Sequence, residues 1–250
     1  MSISDSVSSI SVHAQDSPVK RGFFSRYNPR ALSSVISNSA LVFSKKLQQN
    51  IKFAEEIKSH VSRIVLFSDN YPERSAVMRA KEEAQDIEAL DQAVVSSINM
   101  VRDIVDALEE ENPQIFGTLQ GALLVAAVVE KYTVGNCEEM SKVGLKYAYD
   151  NKASQRVEIF RIEGGNHLFL VIGRKRNSDV TNPKTWGSSA VVCDTWSGKV
   201  YPASHIFMKL ENYISVEQDE QSKRLRTILE PFSASKGHRL ASVVEYPGAQ

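Results

Sequence analysis

The texture of apolar residues changes at Pro113, and the change divides a region of helical spacing from a mixed one. Before it, Leu41, Phe43, Ile51, Phe53, Ile57, Val61 and Ile64 recur among polar positions. Past the turn signal Asp69-Asn70-Tyr71-Pro72 come Ala80, Ala84, Ile87, Leu90, Val94, Ile98, Val101, Val105 and Leu108. The first stretch reads as helical, and in the second, steps of three and four residues lay one continuous apolar face. The first stretch, Ala31 to about Ser68, and the second together predict a long helical hairpin. Pro72 suits a first helical turn, and Pro113 closes the second helix because proline disfavours helix in the residue before it.

After Pro113, Ile115 to Tyr132 is apolar nearly all round and rich in small residues, which predicts a buried helix. A break at Thr133-Val134-Gly135 leads into an amphipathic stretch opening at Cys137. Strand-like runs follow at Val157–Ile162, His167–Gly173, Ala190–Cys193 and Lys199–Tyr201, with Gly164-Gly165 as the tight turn between the first two. His205–Tyr213 and Gln221–Leu229 read as helical, and Leu240–Tyr246 as a last strand. Helices first, then an antiparallel sheet, predict an α+β fold. Three regions are expected: a flexible serine-rich tail over 1–28, a helical region over 29–112, and a body over 113–250 that carries the chemistry. The tail has too little apolar surface to offset the entropy of ordering it.

Charge removes several kinds of partner. Thirty basic residues balance thirty acidic ones, so neither a nucleic acid nor an anionic membrane has electrostatic support. The apolar run Gly121 to Val129 is far short of the roughly 20 residues that span a bilayer. The first residues lack the basic start and apolar run of a secretory segment. Two cysteines, Cys137 and Cys193, are too few for a disulfide framework and suit a reducing compartment.

The chemistry sits in three short stretches. Gly135-Asn136-Cys137-Glu138-Glu139-Met140 places a thiol where a helix begins, with Asn136 as N-cap. Orphan N–H groups and the helix dipole there favour the reactive thiolate, while Glu138 and Glu139 oppose a second anion. His167 opens the apolar run Leu168-Phe169-Leu170-Val171-Ile172, and one hairpin returns that strand over the helix start. Asp194 ends Ala190-Val191-Val192-Cys193, placed to accept the imidazole N–H if the strands are neighbours, with Trp196 as a shield. Thiol, imidazole and carboxylate form the parts list of a cysteine nucleophile with its base and orienting acid. Gln120 and Asn136 are the side chains able to donate to an oxyanion, beside the Cys137 N–H. His13, His60, His205 and His238 have no metal-ligand spacing, and no glycine cluster makes a phosphate loop. Neither metal nor cofactor is expected.

Gly-x-Cys at a helix start, His-x-Phe-x-Val on a strand and Asp-x-Trp after the next resemble the core of the transglutaminase-like and papain-like cysteine enzyme superfamily. The wording Gly-Asn-Cys-Glu-Glu-Met and Val-Val-Cys-Asp-Thr-Trp-Ser-Gly is similar to cores of bacterial effectors. The resemblance spans about residues 113 to 205. It implies Cys137 as nucleophile, His167 as general base and acid, and Asp194 as orienter, acting on a protein substrate of a host cell. Proteolysis, glutamine deamidation and transglutaminase cross-linking share this chemistry and stay open. It also implies delivery into a host cytoplasm by a specialised bacterial system, with the cell's own cytoplasm as the alternative. The competing reading is a non-catalytic protein that keeps the fold and binds a partner through helices in 31–112.

Overall fold

Among the described residues four helices come first. They are α1 (Lys45–Ile64), α2 (Ile87–Glu111), α3 (Leu119–Tyr132) and α4 (Cys137–Asp150). Strands β1 (Val157–Glu163), β2 (Leu168–Ile172), β3 (Val191–Asp194) and β4 (Lys199–Pro202) follow, then a single turn of helix, α5 (Ile206–Lys209). The chain continues through β5 (Glu211–Asp219), β6 (Arg224–Pro231) and β7 (Arg239–Tyr246). This is a computed structural model, and it describes residues 45–68, 87–219 and 224–249. The expected tail over 1–28, the start of the first expected helix and Pro72 lie outside the described residues.

The sheet is antiparallel in the order β4-β3-β2-β1-β7, and β5 and β6 pair separately. A mixed helix and antiparallel-sheet architecture is therefore what the chain forms. Consecutive strands β1 to β4 are neighbours, as short turns dictate. Alternate residues of β2 point to opposite faces. Leu170 and Ile172 enter a core shared with the helices. Phe169 and Val171 enter a second core with Phe160, Trp186, Val192, Tyr201 and Ile206. Both faces of the sheet are covered, which is why Leu168-Phe169-Leu170-Val171-Ile172 reads as an unbroken apolar run.

Among the described residues α1 and α2 do not pair as the expected hairpin. The buried stripe of α1, with Leu47, Ala54, Ile57 and Val61, lies on β3, β4 and α4, whereas α2 packs against α3. An apolar stripe specifies which side of a helix is covered and leaves open what covers it. Accordingly the described helix α1 packs into the same core as elements that follow Pro113. Residues of α1 share one core with Met140, Val143 and Leu145 of α4, within a compact unit running Phe43–Gln250. Gly144 makes the close packing possible. A Cβ there would come within 2.6 Å of Leu170 Cδ1 and 2.9 Å of Ile57 Cγ2.

Three other expectations are corrected. The helix expected from Ile115 starts at Leu119, because the Thr118 side chain accepts the Gly121 N–H and caps it there. The helix expected over His205–Tyr213 is only α5, after which the chain turns extended into β5. The helix expected over Gln221–Leu229 is strand β6, paired in register Tyr213↔Leu229 and Ser215↔Thr227. Leucine and arginine favour helix weakly, and a paired neighbour rich in aromatic and β-branched residues overrides that preference.

Past α1, the chain laces itself to the segment before α4. Leu66 N–H donates to Thr133 O at 2.8 Å and Gly135 N–H to Phe67 O at 3.1 Å, around a parallel bridge between Phe67 and Val134. That lacing seats Ser68 beside Asn136.

Candidate active site at the start of α4

Asn136 adopts extended backbone and Cys137 is the first residue of α4, as the Gly-Asn-Cys spacing predicts. The Glu139 carboxylate folds back to accept the Asn136 N–H at 2.8 Å, one half of a capping box. Gly135 permits this, because a Cβ there would lie 2.6 Å from Glu139 Cβ. The two acidic residues beside the thiol are also compensated. Arg102 Nε of α2 stands 3.6 Å from Glu139 Oε1, and Lys142 Nζ 2.6 Å from Glu138 Oε1. The opposition expected between these glutamates and a thiolate is thereby reduced by positive charge from two elements.

His167 stands just before β2, its carbonyl accepting the Ile162 N–H of β1 at 3.0 Å. Its ring lies 6.0 Å from Phe169 and 5.8 Å from Trp196, centroid to centroid, and is 1% exposed as a residue. Nε2 meets Asp194 Oδ2 at 2.8 Å. The other carboxylate oxygen, Oδ1, accepts the backbone N–H of Trp196 at 3.2 Å and of Ser197 at 3.0 Å. Burial disfavours the imidazolium, but the charge and hydrogen bond of the Asp194 carboxylate, helped by the neighbouring Cys137 thiol, outweigh it, raising the His167 pKa to about 9. Burial likewise opposes the Asp194 carboxylate, and the His167 charge with the hydrogen bonds from its ring and from Ser197 holds the acid below its ordinary range. With Nε2 committed to Asp194, Nδ1 is the ring nitrogen left to serve Cys137.

The structure thus brings Cys137, His167, Asp194 and Asn136 together. Gln120 does not join them. It is exposed on the first turn of α3, where Thr118 Oγ1 donates to its Oε1 at 3.1 Å. Nine residues, roughly 13 Å of helix axis, separate it from Val129, the α3 residue that flanks Gly135. An oxyanion role for Gln120 is excluded by that placement. Cys193 is fully buried, its thiol donating to Ala54 O at 3.3 Å, and burial pushes its pKa up strongly.

Three residues of the site were not read from the sequence. Glu139 was legible in principle, since Asn136-x-x-Glu139 is a capping-box spacing. Arg102 and Ser68 carried no local signal, because both arrive through tertiary packing. Ser68 Oγ donates to Asn136 Oδ1 at 2.7 Å and accepts from Trp196 Nε1 at 3.3 Å. Among the described residues no group of three or more histidine, cysteine, aspartate or glutamate side chains is placed to hold a metal. Nor is any helix among them long and apolar enough to cross a membrane. In comparisons with protein-family models, curated proteins and solved structures, nothing matches this chain.

Proposed function

We propose that the chain is a cysteine acyl-transfer enzyme of the papain-like and transglutaminase-like kind, acting on a carboxamide or peptide bond of a protein. One observation carries the reading: the buried 2.8 Å bond between His167 Nε2 and Asp194, with the Cys137 thiol close enough to the same ring to raise its pKa. A structural histidine has no need of a carboxylate on one side and a thiol at a helix N-terminus on the other. Cys137 gives its proton to His167 Nδ1, and the sulfur attacks the carbonyl carbon. A C–S bond forms while the carbonyl electrons move to oxygen. The Cys137 N–H and the Asn136 side-chain NH2 are the donors for that oxyanion. Collapse expels the amine, His167 returns the proton to it, and a thioester on Cys137 remains.

Water resolving the thioester gives hydrolysis of a peptide or deamidation of glutamine; a protein amine gives a cross-link. The resemblance of the Cys137 and Asp194 stretches to bacterial effector cores supports a host protein as substrate. The serine-rich composition of residues 1–28 is compatible with delivery by a specialised secretion system.

The test is acylation by p-nitrophenyl acetate. A stoichiometric burst of nitrophenolate and an acetyl group located on Cys137 are expected, both absent from Cys137→Ala. A wild-type protein that gives neither would leave the non-catalytic interaction reading in possession. The mass change on a protein substrate then separates deamidation, ammonia-releasing cross-linking and fragmentation.

A further inference from the structure

We propose that Ser68 is a positioning residue that turns the Asn136 amide so its NH2, not its oxygen, faces the reacting carbonyl. The proposal rests on the acyl-transfer reading and adds a part that reading does not require. A side-chain amide presents a donor or an acceptor to a given place depending on which way it is turned. Near an oxyanion the wrong end repels, so something must decide.

The capping box turns the Asn136 oxygen toward the Glu139 N–H, and a hydrogen-bond chain from outside the helix pins the same oxygen. An indole N–H can only donate. Trp196 Nε1 therefore gives its proton to Ser68 Oγ at 3.3 Å, and the Ser68 hydroxyl gives its own to Asn136 Oδ1 at 2.7 Å. With the oxygen pinned toward Ser68, the Asn136 NH2 lies on the other side of the amide. No described residue accepts from it, and it is not among the buried polar atoms left unsatisfied. All three members are at least nine-tenths buried: Ser68 is 4% exposed, Asn136 5% and Trp196 1%. In a dry setting such chains hold their orientation more firmly than in water.

Both ends of the relay belong to the triad's own supports. Trp196 donates its backbone N–H to Asp194, the residue that holds His167, while Asn136 immediately precedes the nucleophile. Ser68 joins them from a distant part of the chain, fixed by the lacing of Phe67 to Val134 and Gly135. One turn, Asp194 to Ser197, thus orients the imidazole and, through Ser68, the oxyanion donor.

Two reactions of the same thiol separate this role from simple bracing. Alkylation by iodoacetamide forms no oxyanion and reads the thiolate and His167 alone. Acylation by p-nitrophenyl acetate forms one. In Ser68→Ala, acylation of Cys137 is expected to fall about tenfold or more, toward the 10²–10³ typical of losing a whole oxyanion donor. Alkylation should stay within about twofold of wild type. Ser68→Thr, which keeps the hydroxyl, should restore acylation. Unchanged acylation in a folded Ser68→Ala protein would overturn the proposal. An equal fall in both reactions would too, because Ser68 would then support the thiol and not the donor. If Ser68→Ala does not fold, Trp196→Phe reads the same relay by removing the indole donor along with part of the ring beside His167, and the same split is expected. A wild-type Cys137 that alkylates rapidly yet resists acylation defeats the relay together with the acyl-transfer reading. Rapid acylation that ignores both variants defeats the relay alone.

Discussion

Asp194 uses both of its oxygens, and that makes its carboxylate hard to replace. Oδ2 accepts from the imidazole while Oδ1 accepts two backbone N–H groups. An amide has a single acceptor oxygen. If Asp194→Asn keeps it on Trp196 and Ser197, the NH2 faces His167 Nε2 and forces the ring proton onto Nδ1. That tautomer cannot take a proton from Cys137. Acylation of Cys137 should therefore fall on the order of 10³–10⁴-fold at neutral pH, as when a triad aspartate is neutralised elsewhere. A loss of only a few-fold would show that the ring is held by something else. The same pair sets a pH dependence of stability. His167 is raised from 6.5 to about 9, so its contribution is complete below 6.5 and lost as pH climbs through about 9. Asp194 is lowered from 3.8, so its contribution is present above that value and lost as acid drives the folded carboxylate to protonate. The thermal midpoint of wild type should decline between pH 6.5 and 9 more steeply than that of His167→Gln. Parallel curves would contradict the assignment. The three residue types were legible in the sequence from their order and their places at element edges. The second task of Asp194 was not, since it belongs to a turn whose shape only the fold defines.

At the scale of elements, the start of α4 concentrates the sequence's most specific information. Gly135, Asn136 and Glu139 cooperate: the glycine makes room for the glutamate, which caps the asparagine N–H. Glu139→Ala removes the cap and leaves a buried N–H without its acceptor, at a cost of about 1 kcal/mol or somewhat more. Glu139→Gln keeps an acceptor and should recover much of the loss while breaking the charge pair with Arg102. Urea denaturation compares the two, and equal destabilisation would mean that the charge, not the cap, matters. The strands β1 to β4 were readable because turn residues bound short apolar runs. Strands β5 and β6 were not, since Arg224-Leu225-Arg226 and its surroundings suit helix as readily and only pairing decides.

Across the whole molecule, the helical and strand textures on either side of Pro113 turn out to be two layers of one core. Periodicity reports the local period of an element and says nothing of which element it meets, so it did not show that α1 would pack on β3, β4 and α4. The consequence is testable by dissection. A fragment of residues 113–250 loses Leu47, Ala54, Ile57 and Val61, all at or below 5% exposure, and bares the faces of β3, β4 and α4 that α1 covers. It should lack the dispersed methyl signals and cooperative unfolding of the full chain. A fragment that folds cooperatively by itself would restore the separate body that the sequence suggested.

The central claim is that His167, held by Asp194, activates Cys137. The most direct measurement is the rate of iodoacetamide alkylation at Cys137, resolved by peptide mass, for wild type and His167→Ala from about pH 5 to 9. At about pH 6 wild type should react roughly tenfold or more faster than His167→Ala, because the imidazolium is present there to assist loss of the thiol proton. His167→Ala should lose roughly tenfold per pH unit below the ordinary thiol range. Superimposable profiles for the two proteins would contradict the account.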